Sequence, residues 1–335
     1  MIEIVPELVG RGVGLGAGAL AAALRFPEHL IASGTRRPDP DIGRLGPVRF
    51  DESRHLPLPD GDALFTVSHG HGPAFLFVHG LGMTSRIWTK QFRMLPPAGI
   101  RTVAFDHRGH GASTAVPAGP GAGGSIDELA DDVRAVVEGL DLRDVVIVGH
   151  SMGGMALLAF AIRHPDVLAA RVRGVALVST AARLDLHRIP FVPASMAAFA
   201  AGFVRSGAWS RSDWSTLAAR TMFGRDAVPS QVELVRVLLT TAAEDTVVAC
   251  ADAIARFDVE RHLGEIAVPA LVVTGTADLF TTPRDGRRLA RGLADARLEL
   301  LPGTGHMVML ERAERLGALL SGFARDLGVA AGLAA

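Results

Sequence analysis

The stretch that most constrains this chain is Val145-Val146-Ile147-Val148-Gly149-His150-Ser151-Met152-Gly153-Gly154. Four β-branched residues in a row predict a strand buried on both faces. A Gly-His-Ser-Met-Gly turn follows at once, and Met155 to His164, apolar and free of glycine and proline, predicts a buried helix. Strand, sharp turn and helix with serine at the apex is the G-x-S-x-G arrangement, in which a strained turn lifts the hydroxyl above the sheet edge. Glycine is expected at 149 and 153 because side chains there would collide with the backbone as it reverses. The helix then starts beside Ser151, so its unbonded N–H groups and positive dipole end lie near charge developing on a substrate oxygen.

A chain of 335 residues suits one large α/β domain with an insertion. Short opening strands are expected at 48–50 and 63–67, separated by the turn-rich Leu56-Pro57-Leu58-Pro59-Asp60-Gly61. Further buried strands are expected at 75–78, 102–105, 175–179, 270–275 and 297–301. Ser125-Ile126-Asp127-Glu128 is a capping box opening a helix that ends at Gly139. An amphipathic helix over 312–327 closes the chain. Strands alternating with helices argue a mostly parallel sheet wrapped on both faces. The pattern breaks over 181–264, where only helical apolar segments occur (195–204, 216–223, 232–239, 246–257), and this insertion reads as a lid. The expected organisation is therefore an extension and linker over 1–47, a core over 48–180 and 265–330, and a helical lid over 181–264.

Four loops at the carboxyl ends of strands carry polar or ionisable groups. His79-Gly80-Leu81-Gly82 is placed to offer the N–H of Leu81 to an oxyanion, with the N–H of Met152 as the second donor. Asp278 follows one strand, and Pro302-Gly303-Thr304-Gly305-His306 follows another. Asp106-His107-Arg108-Gly109-His110-Gly111 gathers a carboxylate and two imidazoles, but no further ligand cluster supports a metal, and a loop-bracing role is expected. The formal net charge of -1 gives no electrostatic case for nucleic acid. One cysteine, Cys250, excludes an intrachain disulfide and fits a reducing, cytoplasmic setting. Residues 8–24, rich in alanine and glycine, carry glycines at 10, 14 and 18, a smooth stripe for close helix packing. Packing on the protein's own body or self-association is expected there, with peripheral membrane contact as the alternative.

Taken together, these segments resemble the α/β-hydrolase superfamily, especially its lidded serine esterases and lipases, over roughly 48–327. The matching pieces are His79 to Gly82, Asp106 to Gly111, Gly149 to Gly154, Gly275 to Asp278, and Gly305-His306. The resemblance implies an α/β-hydrolase fold with Ser151 as nucleophile, His306 as base and Asp278 as its orienting partner. His150 is a poor base because successive side chains at the turn point apart, and Asp252 and Asp258 fall in or beside the lid. The implied reaction is acyl transfer without metal or organic cofactor. The apolar lid favours a hydrophobic ester, with Phe199, Phe203, Trp214 and Met222 as candidate lining residues that core packing of the lid would equally explain. Thioesterases, carbon–carbon bond hydrolases, cofactor-free haloperoxidases or perhydrolases, and a non-catalytic binder share this pattern. Haloperoxidases usually have proline where this chain has Gly82.

Overall fold

The computed structural model describes residues 39–113, 124–184 and 212–329, with side chains of the last segment from 215. The extension over 8–24, Phe199 and Phe203 lie outside the described residues, as does the side chain of Trp214. By its contacts the chain divides into Met1–Pro40 and Asp41–Ala335, and the architecture that follows is that of the second unit. Among the described residues no helix is long and apolar enough to cross a membrane.

Eight strands form one sheet: β1 (Glu52–Pro57), β2 (Ala63–His69), β3 (Ala74–Val78), β4 (Arg101–Phe105), β5 (Val145–His150), β6 (Val172–Val178), β7 (Ala270–Gly275) and β8 (Ala296–Leu301). Their spatial order is β1-β2-β4-β3-β5-β6-β7-β8. The first two pairings, β1 with β2 and β2 with β4, are antiparallel, and the rest are parallel. The order reverses around β3, as crossovers on both faces require. The opening strand lies at 52–57 rather than at the expected 48–50. Its side chains are almost all exposed, so no apolar alternation marks it, and Pro57 is tolerated on this edge where no neighbour needs its N–H. Phe50 packs edge-on against Phe92 with ring centroids 5.3 Å apart, which anchors 48–50 through a side chain instead of a ladder.

Helices cover both faces: α1 (Thr89–Met94), α2 (Ile126–Gly139), α3 (Met152–Arg163), α4 (Pro165–Arg171), α5 (Ser212–Thr221), α6 (Pro229–Thr241), α7 (Glu244–Arg256), α8 (Pro283–Gly292), α9 (Val308–Glu311) and α10 (Ala313–Asp326). The Ser125–Glu128 capping box is formed at the start of α2. Strand alternation divides the core into two layers. Leu76, Val78, Val145, Ile147, Leu177 and Val272 face α2 and α3. Phe75, Phe77, Val146, Val148, Val178 and Val273 face the other side, with Trp88, Phe92 and α10. That double burial is why the central strands are unbroken apolar runs.

Register then aligns the carboxyl ends. Val78 pairs with Gly149, Gly149 with Leu177, Val178 with Val273, and Gly275 with Leu301. The loops after β3, β5, β6, β7 and β8 therefore emerge along one edge of the sheet, where open α/β sheets present ligands. Phe77 sits mid-sheet with its ring 4.9 Å from that of Trp88 and fully buried. Phe77→Ala is expected to cost about 3–5 kcal/mol of unfolding free energy in urea titration, with an unchanged slope against denaturant.

Candidate active site

Ser151 follows β5 with φ 52° and ψ −121°, a backbone conformation costing roughly 1–3 kcal/mol for a residue with a Cβ. The turn survives because its surroundings fix it. The Ser151 N–H donates to the Val178 carbonyl at 3.1 Å, and the Thr180 hydroxyl donates to the Ser151 carbonyl at 2.7 Å. Glycine is required on either side by contact: a Cβ at 149 would stand 2.7 Å from the Gly153 carbonyl oxygen, and one at 153 would stand 2.4 Å from that of His79. The helix after the turn begins at Met152, three residues earlier than the apolar run alone predicts. As its first residue Met152 has an N–H with no intrahelical acceptor.

The loop after β3 lies against this turn, since a Cβ on Gly80 would come within 3.1 Å of that of Ser151. Two imidazoles hold the loop in place. His79 Nδ1–H donates to the Gly80 carbonyl at 2.8 Å, which leaves Nε2 to accept the N–H of His107 at 2.9 Å. His110 Nδ1–H donates to the Arg108 carbonyl at 3.1 Å, and its Nε2 accepts the N–H of Gly82 at 3.2 Å. Both relays need a neutral ring, and burial supplies it by holding His79 well below 6.5 and lowering His110. Among the described residues the N–H of Leu81, between these tethers, has no acceptor.

The loop after β4 is braced as the sequence leads one to expect. Asp106 accepts the N–H of Ser85 at 2.7 Å and of Ala112 at 3.0 Å. Arg108 grips Asp132 with two bonds of 2.6 and 2.9 Å and reaches Asp60 at 3.1 Å. The hydrogen bonds to Asp132, with its charge and that of Asp60, raise the pKa of the guanidinium against the opposing effect of burial.

His306 and Asp278 meet at the far side of the same edge. The ring Nδ1–H of His306 donates to Asp278 at 2.9 Å (Oδ2) and 3.1 Å (Oδ1), which leaves Nε2 as an acceptor when the ring is neutral. The carboxylate also accepts the N–H groups of Phe280 and Thr281 at 2.9 and 3.0 Å and the Thr281 hydroxyl at 2.8 Å. Burial alone would raise the Asp278 pKa; the adjacent His306 and those hydrogen bonds outweigh it, so the group titrates below its ordinary 3.8. The residue before Ser151 touches this pair. His150 Nε2–H donates to the His306 carbonyl at 3.1 Å, with ring centroids 4.8 Å apart. Burial lowers the pKa of His150 to about 3, so it is neutral near pH 7 and its bare Nδ1 has no partner among the described residues.

Met222, expected among lining residues, has its carbonyl accepting the N–H of His306 at 2.7 Å. Its side chain is partly buried against the core layer containing α10. Glu311, which sequence reasoning missed, accepts the N–H groups of Gly224 at 2.8 Å and Gly305 at 2.9 Å. A second missed cluster joins Lys90, Asp41 and Gln231: the ammonium lies 2.6 Å from Asp41, and both Lys90 and Gln231 donate to the Leu310 carbonyl at 3.0 Å. Partly buried charges whose partners lie far along the chain give no local pattern by which to find either.

A family model described as alpha/beta hydrolase fold matches residues 73–313. The chain belongs to the α/β-hydrolase fold family. Across 258 residues it is 29% identical to a non-heme chloroperoxidase of Kitasatospora aureofaciens, covering 75% of this chain and 91% of that one. It superimposes on the enol-lactonase from Burkholderia xenovorans with a TM-score of 0.70 and 27% identity, covering 81% of this chain and all of the other. An esterase from Exiguobacterium antarcticum shares the fold at a TM-score of 0.74 and 19% identity, over 82% of this chain and 100% of that one. The family thus includes relatives named as esterase, lactonase and haloperoxidase.

In this α/β-hydrolase, His107 shows what burial does without a partner. Its ring nitrogens have no hydrogen bond among the described residues, and burial followed by the proximity of His110 lowers its pKa to about 3. The unfolded chain, with an ordinary histidine near 6.5, binds that proton first. The stability linked to His107 is therefore complete above pH 6.5 and is lost as pH falls from there toward 3. His107→Leu is expected to flatten the fall of unfolding free energy across that window in urea titrations. A slope identical to that of the unsubstituted chain would contradict this.

Proposed function

We propose that the chain is a serine hydrolase that cleaves a carboxylic ester with a hydrophobic acyl group through an acyl-enzyme intermediate. The observation that carries this reading is the buried His306–Asp278 pair, with Nε2 of the imidazole left as acceptor on the sheet edge from which Ser151 also emerges. A serine hydroxyl is a weak nucleophile near pH 7 and needs such a base, held in one tautomer by a third group.

In the proposed reaction His306 takes the proton of Ser151 as its oxygen attacks the ester carbonyl. Asp278 keeps Nδ1 protonated and stabilises the imidazolium that forms. The N–H groups of Leu81 and Met152 receive the oxyanion, each donor of this kind contributing about 3 kcal/mol to the barrier reduction. His306 then gives its proton to the leaving alcohol and activates the water that releases the acid. The helices between β6 and β7 are read as the lid. Leu239 on α6 reaches to 3.0 Å from where a Gly82 Cβ would stand, and Thr246 on α7 to 2.5 Å from one on Gly109, so both helices lie over the loops of this edge. Apolar helices there favour an apolar acyl group.

Likeness to a non-heme chloroperoxidase favours a second reading, in which hydrogen peroxide replaces water in attacking the acyl-enzyme and releases a peracid. A series of p-nitrophenyl esters of increasing chain length, assayed with and without peroxide and beside a matched thioester, separates these outcomes. Hydrolysis is expected to rise from acetyl toward medium chains and to exceed both thioester cleavage and peracid formation. A fluorophosphonate should modify Ser151, Ser151→Ala should reduce turnover to background, and Asp278→Asn should lower kcat by roughly 10⁴-fold. Undiminished turnover by Ser151→Ala overturns the mechanism, and absence of labelling favours a binding protein.

A further inference from the structure

The backbone at Gly305-His306 is held at three points, and one of them depends on a carboxyl side chain that the reaction itself does not use. Its N–H donates to Met222 and its carbonyl accepts from His150. The third is Gly305, immediately before it, whose N–H donates to Glu311 Oε1 at 2.9 Å. The other oxygen of the same carboxylate accepts the N–H of Gly224 at 2.8 Å. Gly224 lies two residues beyond Met222, so Glu311 and Met222 close a ring of bonds between the His306 loop and the segment leaving α5. The two backbones are in contact there: a Cβ on Gly305 would stand 2.4 Å from the Gly224 nitrogen, and one on Gly224 would stand 2.0 Å from the Gly303 oxygen. Arg220 at the end of α5 braces the same turn by donating to the Phe223 carbonyl at 3.2 Å.

We propose that Glu311 is a positioning residue for the hydrolysis, fixing the His306 loop to the segment 222–224 so that the imidazole is presented at one angle to Ser151. The inference rests on the reading of Ser151 and His306 as nucleophile and base. A partly buried carboxylate is costly unless its bonds repay it. Burial does raise the Glu311 pKa, against the opposing pull of the Gly224 and Gly305 N–H groups and of Arg312, while the Asp278 charge adds to the rise. An apolar side chain at 311 would leave two backbone N–H groups without acceptors, one of them next to the proposed base. Glutamine can accept only one of the two, because its amide nitrogen meets the other N–H as a second donor.

The test compares purified Glu311→Gln and Glu311→Asp with the unsubstituted chain, using p-nitrophenyl butyrate and the far-downfield proton resonance of the His306–Asp278 hydrogen bond. Since a misplacement of about 1 Å can cost 10²-fold, Glu311→Gln is expected to lower kcat by about 10–100-fold with KM within about twofold. The downfield resonance should broaden, and Glu311→Asp, which retains two acceptor oxygens, should fall between the two. A folded Glu311→Gln protein with undiminished kcat and a sharp resonance overturns the proposal, as does a change confined to KM. If Glu311→Gln does not fold, Glu311→Asp decides: a several-fold loss in kcat at constant KM supports positioning, and full kcat overturns it. Ser151→Ala run in parallel keeps the two readings apart. Turnover that survives it removes the reaction and the inference together, whereas its loss beside an unimpaired Glu311→Gln removes the positioning role alone.

Discussion

The fold turns on a steric arrangement of a few ångströms at the end of β5. The chain must reverse from a buried strand into a buried helix, and it does so through a serine whose φ of 52° is unfavourable for any residue with a Cβ. Gly149 and Gly153 let the two limbs close on themselves, and Gly153 sits directly against the carbonyls of Val78 and His79 at the end of β3. That contact holds the end of β3 and the loop that follows it beside the turn at Ser151, where α3 begins. Any side chain at 153 would separate the elements that the proposed chemistry needs adjacent.

Around this turn, burial sorts five imidazoles into two kinds. His79, His107, His110 and His150 are enclosed, and burial is the first cause lowering each of their pKa values. His79 and His110 use the neutral state structurally, each donating through one nitrogen and accepting through the other to tie one loop to the next. Of the five, His306 alone has a carboxylate hydrogen-bonded to its ring among the described residues. The charge that would be costly elsewhere in the cluster thus has its compensation at the position where the proposed reaction generates it. His150, next to Ser151 in sequence, donates its only ring N–H to the His306 backbone and is a support for that residue.

Much of this was legible in the sequence because the central strands are buried on both faces and therefore read as apolar runs. The strands from β3 to β8, the capping box at Ser125, and the positions of Asp278 and His306 past strand ends all follow from local pattern and turn residues. The misses also have physical causes. The edge strand β1 is exposed on both sides and has no alternation to detect. The helix α8 consists mostly of arginine, glycine and aspartate, so its only local signal is the box formed by Thr282 and Asp285 with Pro283 between them. Glu311 and the Lys90–Asp41–Gln231 cluster act across the chain: Glu311 grips a residue 87 positions away. No short-range periodicity encodes such a contact. The bond from the His306 N–H to the Met222 carbonyl is likewise a backbone contact that the residue type at 222 does not encode.

The central claim is that a single hydroxyl, a single imidazole and two backbone N–H groups converge on one reacting carbon. It is tested most directly by a crystal structure of the protein after reaction with an alkyl phosphonate ester, whose tetrahedral phosphorus stands in for the carbon of the intermediate. The account predicts a covalent bond from the Ser151 Oγ to phosphorus, the phosphoryl oxygen within hydrogen-bond distance of both Leu81 and Met152 N–H, and His306 Nε2 directed at the ester oxygen. A phosphonate bonded to another residue, or one on Ser151 with its oxygen turned away from both N–H groups, would contradict it.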